Sequence, residues 1–192
     1  MPASRWITPL GEDGYIASAR RIDSPNCDVR PEDCGVDLVV IHAISLPPDQ
    51  FGGPGVEQLF TNQIDATEHS YYASIAHLHV SAHFFIRRDG SLLQFVPVTL
   101  RAWHAGVSIW KGRERCNDFS IGIELEGSDS LPFRAEQYDC LTGLLGRIRE
   151  RYPHVDICAH SDIAPGRKTD PGPFFEWARF SALLSTYSPA LL

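Results

Sequence analysis

A short loop near the end of the chain carries the residues best suited to chemistry. The stretch from His160 to Gly172 holds His160, Lys168 and Asp170 among prolines and glycines. Imidazole and carboxylate groups are both common zinc ligands, and a lysine two residues before the aspartate would place a positive charge close to whatever the metal binds. The alternative is that these side chains are simply solvated, as polar residues in such loops usually are.

A further candidate ligand, His42, comes at the end of a β-branched apolar run that begins at Asp37 and predicts a buried strand. His160 likewise follows a short apolar run, 155–159. Functional groups collect at strand ends in α/β sheets, because the sheet fixes the backbone while the loop leaves the side chain accessible. His42, His160 and Asp170 together would give zinc three protein ligands and one open position, which is the arrangement of catalytic zinc.

A glutamate in a predicted strand supplies the remaining chemistry. The run 119–127 alternates, so that one face carries Ile121, Ile123 and Leu125 and the other carries Gly122, Glu124 and Glu126. A mid-strand carboxylate is costly to bury without a partner, which favours Glu124 slightly over Glu126 as the functional residue, with a buried salt bridge as its alternative. As a general base, Glu124 would accept a proton from the attacking water, while Lys168 would stabilise the developing oxyanion. This set fits metal-assisted amide hydrolysis.

A second histidine cluster competes with this site. His77, His79 and His83 are evenly spaced and would share one face of a single strand, where they could hold a metal. The residues before Val80 look helical or irregular, however, and His83 is flanked by apolar residues where a core histidine is common. The triplet is therefore the weaker candidate.

The remaining pattern predicts the elements that must position these residues. We expect short helices over 56–60 and 65–78, strands over 80–88 and 91–96 joined by a tight Asp89-Gly90 turn, and long helices over 134–152 and 173–184. In the last helix, Phe174, Trp177 and Phe180 would be buried. The loop 44–55 would form a wall of the site. The irregular segment 101–118 would either contact a ligand or cover the core.

Composition limits the possible partners and the compartment. Hydrophobic residues make up 43% of the 192 residues, and the net charge is −7 without any basic run, which speaks against nucleic acid or an anionic membrane as a partner. No obligatory protein partner is indicated. The five cysteines form no Cys-x-x-Cys pair, and the first residues lack the apolar core of a signal peptide, so we expect free thiols and a cytoplasmic protein.

Four segments carry a family resemblance over about residues 5–184. They are Val40-Ile41-His42 with Ile44-Ser45-Leu46-Pro47-Pro48, Arg101-Ala102-Trp103-His104-Ala105-Gly106, Cys116 to Gly127, and the loop from His160. With these segments the chain resembles the AmpD-type cytoplasmic N-acetylmuramoyl-L-alanine amidases, zinc enzymes that share the fold of peptidoglycan recognition proteins.

The resemblance implies specific roles. It implies one zinc ion on His42, His160 and Asp170, with Glu124 and Lys168 as the catalytic pair. It also implies substrate contacts by three further residues: Trp103, Arg115 and Ala164. The implied substrate is a muropeptide ending in 1,6-anhydro-N-acetylmuramic acid, cut between the lactyl group and L-alanine during cell-wall recycling. In bacteria with an inducible β-lactamase, the same activity is expected to keep inducing muropeptides low.

Two positions depart from the family pattern. Ala43 stands where asparagine is common, and His79 stands where arginine is common. Ala43 offers no side-chain hydrogen bond and His79 is a weaker, pH-dependent cation, so substrate affinity is the property these changes would affect.

We therefore predict a single α/β domain with a mixed central β-sheet flanked by helices. An extended N-terminal lead-in, 1–36, would pack on a zinc amidase domain, 37–184, and a tail, 185–192, would follow. Two alternatives are a muropeptide-binding module of the same fold that does not cut its ligand and a zinc peptidase for ordinary peptides. A pure binder has no need of three metal ligands together with Glu124 and Lys168.

Overall fold

A mixed sheet of six strands forms the centre of the molecule. The computed structural model describes residues 6–187, so the predicted ends of the lead-in, 1–5, and of the tail, 188–192, lie outside the described residues. The strands are β1 (Arg20–Arg21), β2 (Cys27–Val29), β3 (Leu38–Ile44), β4 (Phe84–Ile86), β5 (Leu92–Gln94), β6 (Leu100–Ala102), β7 (Ile109–Trp110), β8 (Arg113–Glu114), β9 (Ser120–Glu126) and β10 (Asp156–Ala159). The central order is β1-β5-β4-β9-β3-β10, in which only β4 and β5 are antiparallel.

Five α-helices of the described part of the chain flank the sheet. They are α1 (Gly55–Phe60), α2 (Ser70–Ile75), α3 (Ala135–Arg151), α4 (His160–Ile163) and α5 (Trp177–Tyr187), and a 3-10 turn spans Cys116–Phe119. Two small antiparallel pairs, β2 with β6 and β7 with β8, lie outside the central sheet. The predicted α/β architecture with a mixed sheet flanked by helices is confirmed. Among residues 6–187, no helix has the length and apolar composition that crossing a membrane requires.

The alternation of β9 divides the core between the two faces of the sheet. Ile121, Ile123 and Leu125 pack with α3 and α5 in the largest apolar cluster, as the pattern predicted. The opposite face carries Gly122, Glu124 and Glu126. Helix α3 begins and ends within one residue of its predicted bounds, because its apolar positions all face the core. These positions, each at most 1% exposed, are Tyr138, Leu141, Leu144, Leu145 and Ile148.

Several predicted bounds were wrong. The strand predicted over 80–88 is shortened to β4, since Ser81 donates its backbone N–H to the carbonyl of Trp103 rather than to a neighbouring strand. The helix predicted over 65–78 is only α2. The last helix begins at Trp177 instead of 173, and Phe175, 4% exposed, takes the buried place predicted for Phe174, which is 40% exposed. The Asp89-Gly90 turn is confirmed, with Gly90 at φ +83°.

The described part of the lead-in is attached to the domain by a few residues. Ile7 and Ile16 are 1% and 2% exposed, whereas the neighbouring Trp6 is 40% exposed. Strand β1 extends the edge of the sheet beside β5. The guanidinium of Arg30 donates hydrogen bonds to the backbone carbonyls of Val98, Asn117, Asp118 and Ser120. The boundary at residue 36 stays a prediction.

Candidate metal centre

Three predicted ligands converge at the carboxyl ends of two adjacent strands. His42 lies near the end of β3, and His160 opens α4 directly after β10, which pairs with β3 in parallel. Asp170 follows in the loop, where its carbonyl accepts a hydrogen bond from Ser161 N at 3.0 Å. Parallel neighbours end at the same edge of a sheet, so the topology brings the two histidines together.

The ligand atoms form a compact triangle. The Nδ1 atoms of His42 and His160 are 2.9 Å apart, and Asp170 Oδ2 lies 3.2 Å and 3.0 Å from them. Donor atoms about 2.0–2.2 Å from one zinc ion must lie within roughly 4.4 Å of one another, which these do. Three lone-pair donors this close repel one another unless a proton or cation lies between them. The donor set therefore fits a single small cation.

The protonation states also suit a metal. Burial lowers the pKa of His42 to about 4, although the hydrogen bond to Asp170 opposes the change. Burial also opposes ionisation of Asp170, but hydrogen bonds from His160 and His42 outweigh it and hold the pKa of this carboxyl far below its usual range. A neutral imidazole and an ionised carboxylate are the forms that bind metals.

The outer nitrogens of both ligand histidines have partners. His160 Nε2 lies 3.2 Å from the carbonyl of Ala105, to which it donates when Nδ1 faces a metal. His42 Nε2 lies 2.9 Å from Nδ1 of His104. The sequence predicts that the irregular segment containing His104 either contacts a ligand or covers the core, and it assigns this histidine no role, since nothing in the local pattern links residue 104 to residue 42.

Glu124 on β9 lies directly beside His42 on the adjacent strand β3, because the two residues are partners in the strand register. It is 8% exposed, and its Oε2 atom has no hydrogen-bond partner among residues 6–187. Burial, with the nearby Asp170 carboxylate, raises the pKa of Glu124 well above its usual value, while Lys168 opposes the rise. An unpartnered buried carboxylate in a cavity is a common sign of a functional group.

Glu126 has a different environment. Its carboxylate accepts hydrogen bonds from the backbone of Gly52 at 2.5 Å and of Arg88 at 2.9 Å, and it also pairs with the Arg87 side chain. These bonds tie the loop after β3 and the β4–β5 turn to the sheet. The carboxylate of Glu126 therefore has hydrogen-bond partners within the fold, whereas Oε2 of Glu124 has none among the described residues.

A cavity of about 540 Å³ joins the ligands to the other predicted site residues. Glu124, Lys168 and Trp103 line it with the three ligands, and so does Ala43, one of the two departures from the family pattern. Arg115 and Ala164 line a neighbouring depression instead, and Arg167 lines both. His79, the second departure, is exposed and is not among the residues that line the cavity.

The three histidines of the competing triplet do not converge. His77 and His79 are exposed, whereas His83 is fully buried. His83 Nδ1 accepts a hydrogen bond from Gly122 N at 3.0 Å, and Nε2 lies 3.1 Å from the carbonyl of Leu100. Both nitrogens are thereby occupied by backbone groups, and His83 is a structural core histidine.

Acid should destabilise the protein through His83. Burial and the neighbouring Arg30 lower its pKa to about 3 from 6.5, so between these values the unfolded chain binds the additional proton. The free energy of unfolding should then fall by about 2 kcal/mol between pH 7.5 and pH 5 from this residue. Urea unfolding at the two pH values measures the change. H83N should lose that part of the slope and H154Q, at an exposed histidine, should keep it; equal slopes in all three proteins would contradict the prediction.

Comparison with known proteins places the chain among enzymes. The family model described as N-acetylmuramoyl-L-alanine amidase matches residues 32–173. The 1,6-anhydro-N-acetylmuramyl-L-alanine amidase AmpD of Citrobacter freundii is 55% identical over 181 residues, which are 93% of this chain and 97% of that protein. A crystal structure of AmpD superimposes with a TM-score of 0.89 at 55% identity, covering 91% of this chain and 99% of that one.

A more distant structure contains a ligand. The N-acetylmuramyl-L-alanine amidase AmiD from E. coli, in complex with the substrate anhydro-N-acetylmuramic acid-L-Ala-D-γ-Glu-L-Lys, is 30% identical with a TM-score of 0.56. The match covers 93% of this chain and 66% of AmiD.

Proposed function

The chain belongs to the N-acetylmuramoyl-L-alanine amidase family, and we propose that it performs the family's hydrolysis with one zinc ion held by His42, His160 and Asp170. It cleaves the amide bond between the lactyl group of 1,6-anhydro-N-acetylmuramic acid and L-alanine, a step of peptidoglycan recycling. Zinc is favoured over harder cations because two of the three donors are imidazoles.

One observation carries the catalytic assignment: the buried, unpartnered Oε2 of Glu124 in the cavity that holds the three ligand atoms. A zinc ion bound by these residues would lower the pKa of water to about 7 and polarise a carbonyl. Glu124 takes the proton from the attacking water and returns it to the nitrogen of L-alanine as the amide bond breaks. Its raised pKa matches this exchange, because a carboxylate with an ordinary pKa is a weak base at neutral pH.

Lys168 stabilises the negative charge that develops on the carbonyl oxygen. Lys168 lines the cavity, where its charge lowers the pKa of Glu124, and it is on the same short loop as Asp170. A cation placed where charge appears only in the transition state accelerates the chemical step more than it strengthens substrate binding.

Replacing Lys168 by alanine should lower kcat by about 10²–10³-fold, the usual effect of removing an oxyanion-stabilising group. The zinc affinity should stay within a few-fold of the parent, because Lys168 is not a ligand. The chain has one other lysine, Lys111, which pairs with Asp156 at the surface and serves as the matched control. Steady-state kinetics of K168A and K111A test this, and equal rates in the two variants would remove Lys168 from the mechanism.

The substrate is proposed to span both depressions. The sugar and the scissile amide lie in the metal cavity against Trp103, and the stem peptide extends past Arg115 and the backbone of Ala164. The ligand of AmiD carries a γ-linked glutamate, whose free carboxylate suits an arginine in this position. Ala43 lines the metal cavity without a side-chain hydrogen-bonding group, so contacts at that point come from neighbouring residues.

Mass spectrometry of an anhydromuropeptide incubated with the protein is the direct test. Separate masses for the anhydro sugar and the free peptide are expected, and the peptide alone should remain intact when supplied without the sugar. An unchanged muropeptide would refute hydrolysis, and cleavage within the peptide would identify a peptidase instead.

We also propose that the reaction takes place in the cytoplasm, as in the amidases that the chain resembles. The five cysteines, all unpaired, are consistent with a reducing compartment. In bacteria with an inducible β-lactamase, this activity is proposed to keep inducing muropeptides low. Fractionation of cells, with the amidase activity assayed in each fraction, tests the location.

A further inference from the structure

On the side away from the metal site, the imidazole of His42 contacts a second imidazole, that of His104. His42 Nε2 lies 2.9 Å from His104 Nδ1, and His104 Nε2 lies 3.1 Å from the hydroxyl oxygen of Ser120. The two rings meet edge to face, with centroids 5.0 Å apart and an interplanar angle of 87°. The three side chains form a row that leads from the metal site to the start of β9.

A metal ligand at one end fixes the protons along this row. When Nδ1 of His42 presents its lone pair to a cation, the proton of the neutral ring must be on Nε2, which then donates to His104. Nδ1 of His104 is therefore the acceptor, and its Nε2–H donates to Ser120 Oγ. With a cation on His42, each ring thus has one compatible tautomer, and His104 accepts the Nε2–H of the His42 tautomer that binds metal.

The side chain of Asn117 binds the backbone around His104. Asn117 Oδ1 accepts hydrogen bonds from the N–H groups of His104 at 3.1 Å and Ala105 at 2.8 Å. The Ala105 carbonyl is in turn the partner of His160 Nε2. Asn117 thus holds two consecutive residues. His104 contacts Nε2 of His42, and Ala105 contacts Nε2 of His160.

Gly122 on β9 leaves room for the His104 ring. A Cβ atom at Gly122 would lie 2.5 Å from Cγ of His104, closer than atoms can approach. The glycine on β9 therefore lets the ring lie against the sheet beside His42, at the point where a side chain on that face would displace it.

We propose that His104 is a positioning residue for the metal centre: it orients His42 and fixes its proton on Nε2, so that Nδ1 is free to bind zinc. The inference rests on the proposed zinc site. Partners of this kind alter metal affinity by about 10–100-fold when they are removed. The contact comes from a loop distant in sequence, which explains why only the folded chain reveals it.

Zinc affinity in chelator competition tests the inference independently of turnover. H104F keeps a ring of similar size but no acceptor, and should weaken zinc binding about 10–100-fold. H104N keeps an oxygen on Cγ, where Nδ1 is attached, and should restore the affinity to within about threefold of the parent. S120A, which removes only the second acceptor, should weaken binding by less than H104F. Thermal unfolding of the metal-free proteins identifies any variant that has lost its fold.

The cobalt(II)-loaded proteins give a second readout. The visible absorption of cobalt depends on the orientation and basicity of its ligands, so it should shift in H104F and return in H104N. H104F with zinc affinity within twofold of the parent and an unchanged cobalt spectrum would overturn the inference, and so would H104N as weak as H104F. A parent protein that binds no zinc would instead overturn the metal site itself, and this inference with it.

Discussion

The E124Q protein is expected to bind zinc normally and to lose about 10³-fold in kcat, the scale of effect of general acid–base catalysis. Glutamine keeps the size of Glu124 but cannot take a proton from water. The raised pKa in the parent shows that burial disfavours the ionised carboxylate, so removing the charge should not lower the thermal unfolding midpoint at neutral pH. Kinetics on an anhydromuropeptide, zinc content and thermal unfolding measure the three quantities. A variant with near-parental turnover would exclude Glu124 as the base.

The neighbouring carboxylate provides the matched control. E126Q loses the charge that accepts from Gly52 and Arg88 and pairs with Arg87, so it should unfold at a lower temperature. Its turnover, measured while folded, should exceed that of E124Q by at least about tenfold, since Glu126 does not supply the base. The opposite ranking of the two variants would assign the catalytic role to Glu126.

Removing the metal should abolish turnover. Protein treated with a strong chelator and dialysed is expected to be inactive and to recover when one equivalent of zinc is added, whereas magnesium should not restore it, because imidazole-rich sites bind magnesium poorly. Elemental analysis of the untreated protein should give about one zinc per chain, as three ligands with one open position require. Full activity in the metal-free protein would contradict a metal mechanism.

The ligand set can be tested one residue at a time. D170N keeps the shape of Asp170 but removes the charge that neutralises the cation, and should weaken zinc binding and turnover together. D162N is a useful comparison, because Asp162 is on the same segment but accepts a hydrogen bond from Ala159 N instead of facing the ligands. Loss of zinc from D162N rather than from D170N would show that the ligand is assigned to the wrong aspartate.

The parts of the molecule that follow a regular period were predictable from the sequence. Strand β9 and helix α3 each place one apolar face in the main core, so their apolar residues repeat at spacings of two and of three to four. The predicted ligands could be grouped because His42 and His160 each follow an apolar strand, and parallel strands end at a common edge. The ends of elements were harder. Whether Phe174 or Phe175 is buried depends on where the chain turns after Gly172, which no period records.

The supports of the site were not predictable. His104 and Asn117 both lie in the segment 101–118, which shows no regular period. His104 contacts His42 on β3, and Asn117 accepts a hydrogen bond from the backbone of His104. Arg30 lies within the segment 1–36 that the sequence predicts as an extended lead-in. Its guanidinium nevertheless reaches carbonyls 87 to 90 residues away. Hydrogen bonds between side chains and distant backbone cannot be predicted from the hydrophobic pattern, since any polar residue could make them.

The position of Arg30 bears on how the chain can be shortened. The range that matches the family, 32–173, excludes this residue, the buried Ile7 and Ile16, and the whole of α5. Without Arg30, four carbonyls around the start of β9 lose their donor, at a cost of about 1–3 kcal/mol for each one left unsatisfied. A chain cut to 32–173 is therefore expected to have a lower free energy of unfolding than the full chain, because it lacks contacts from the flanks on both sides.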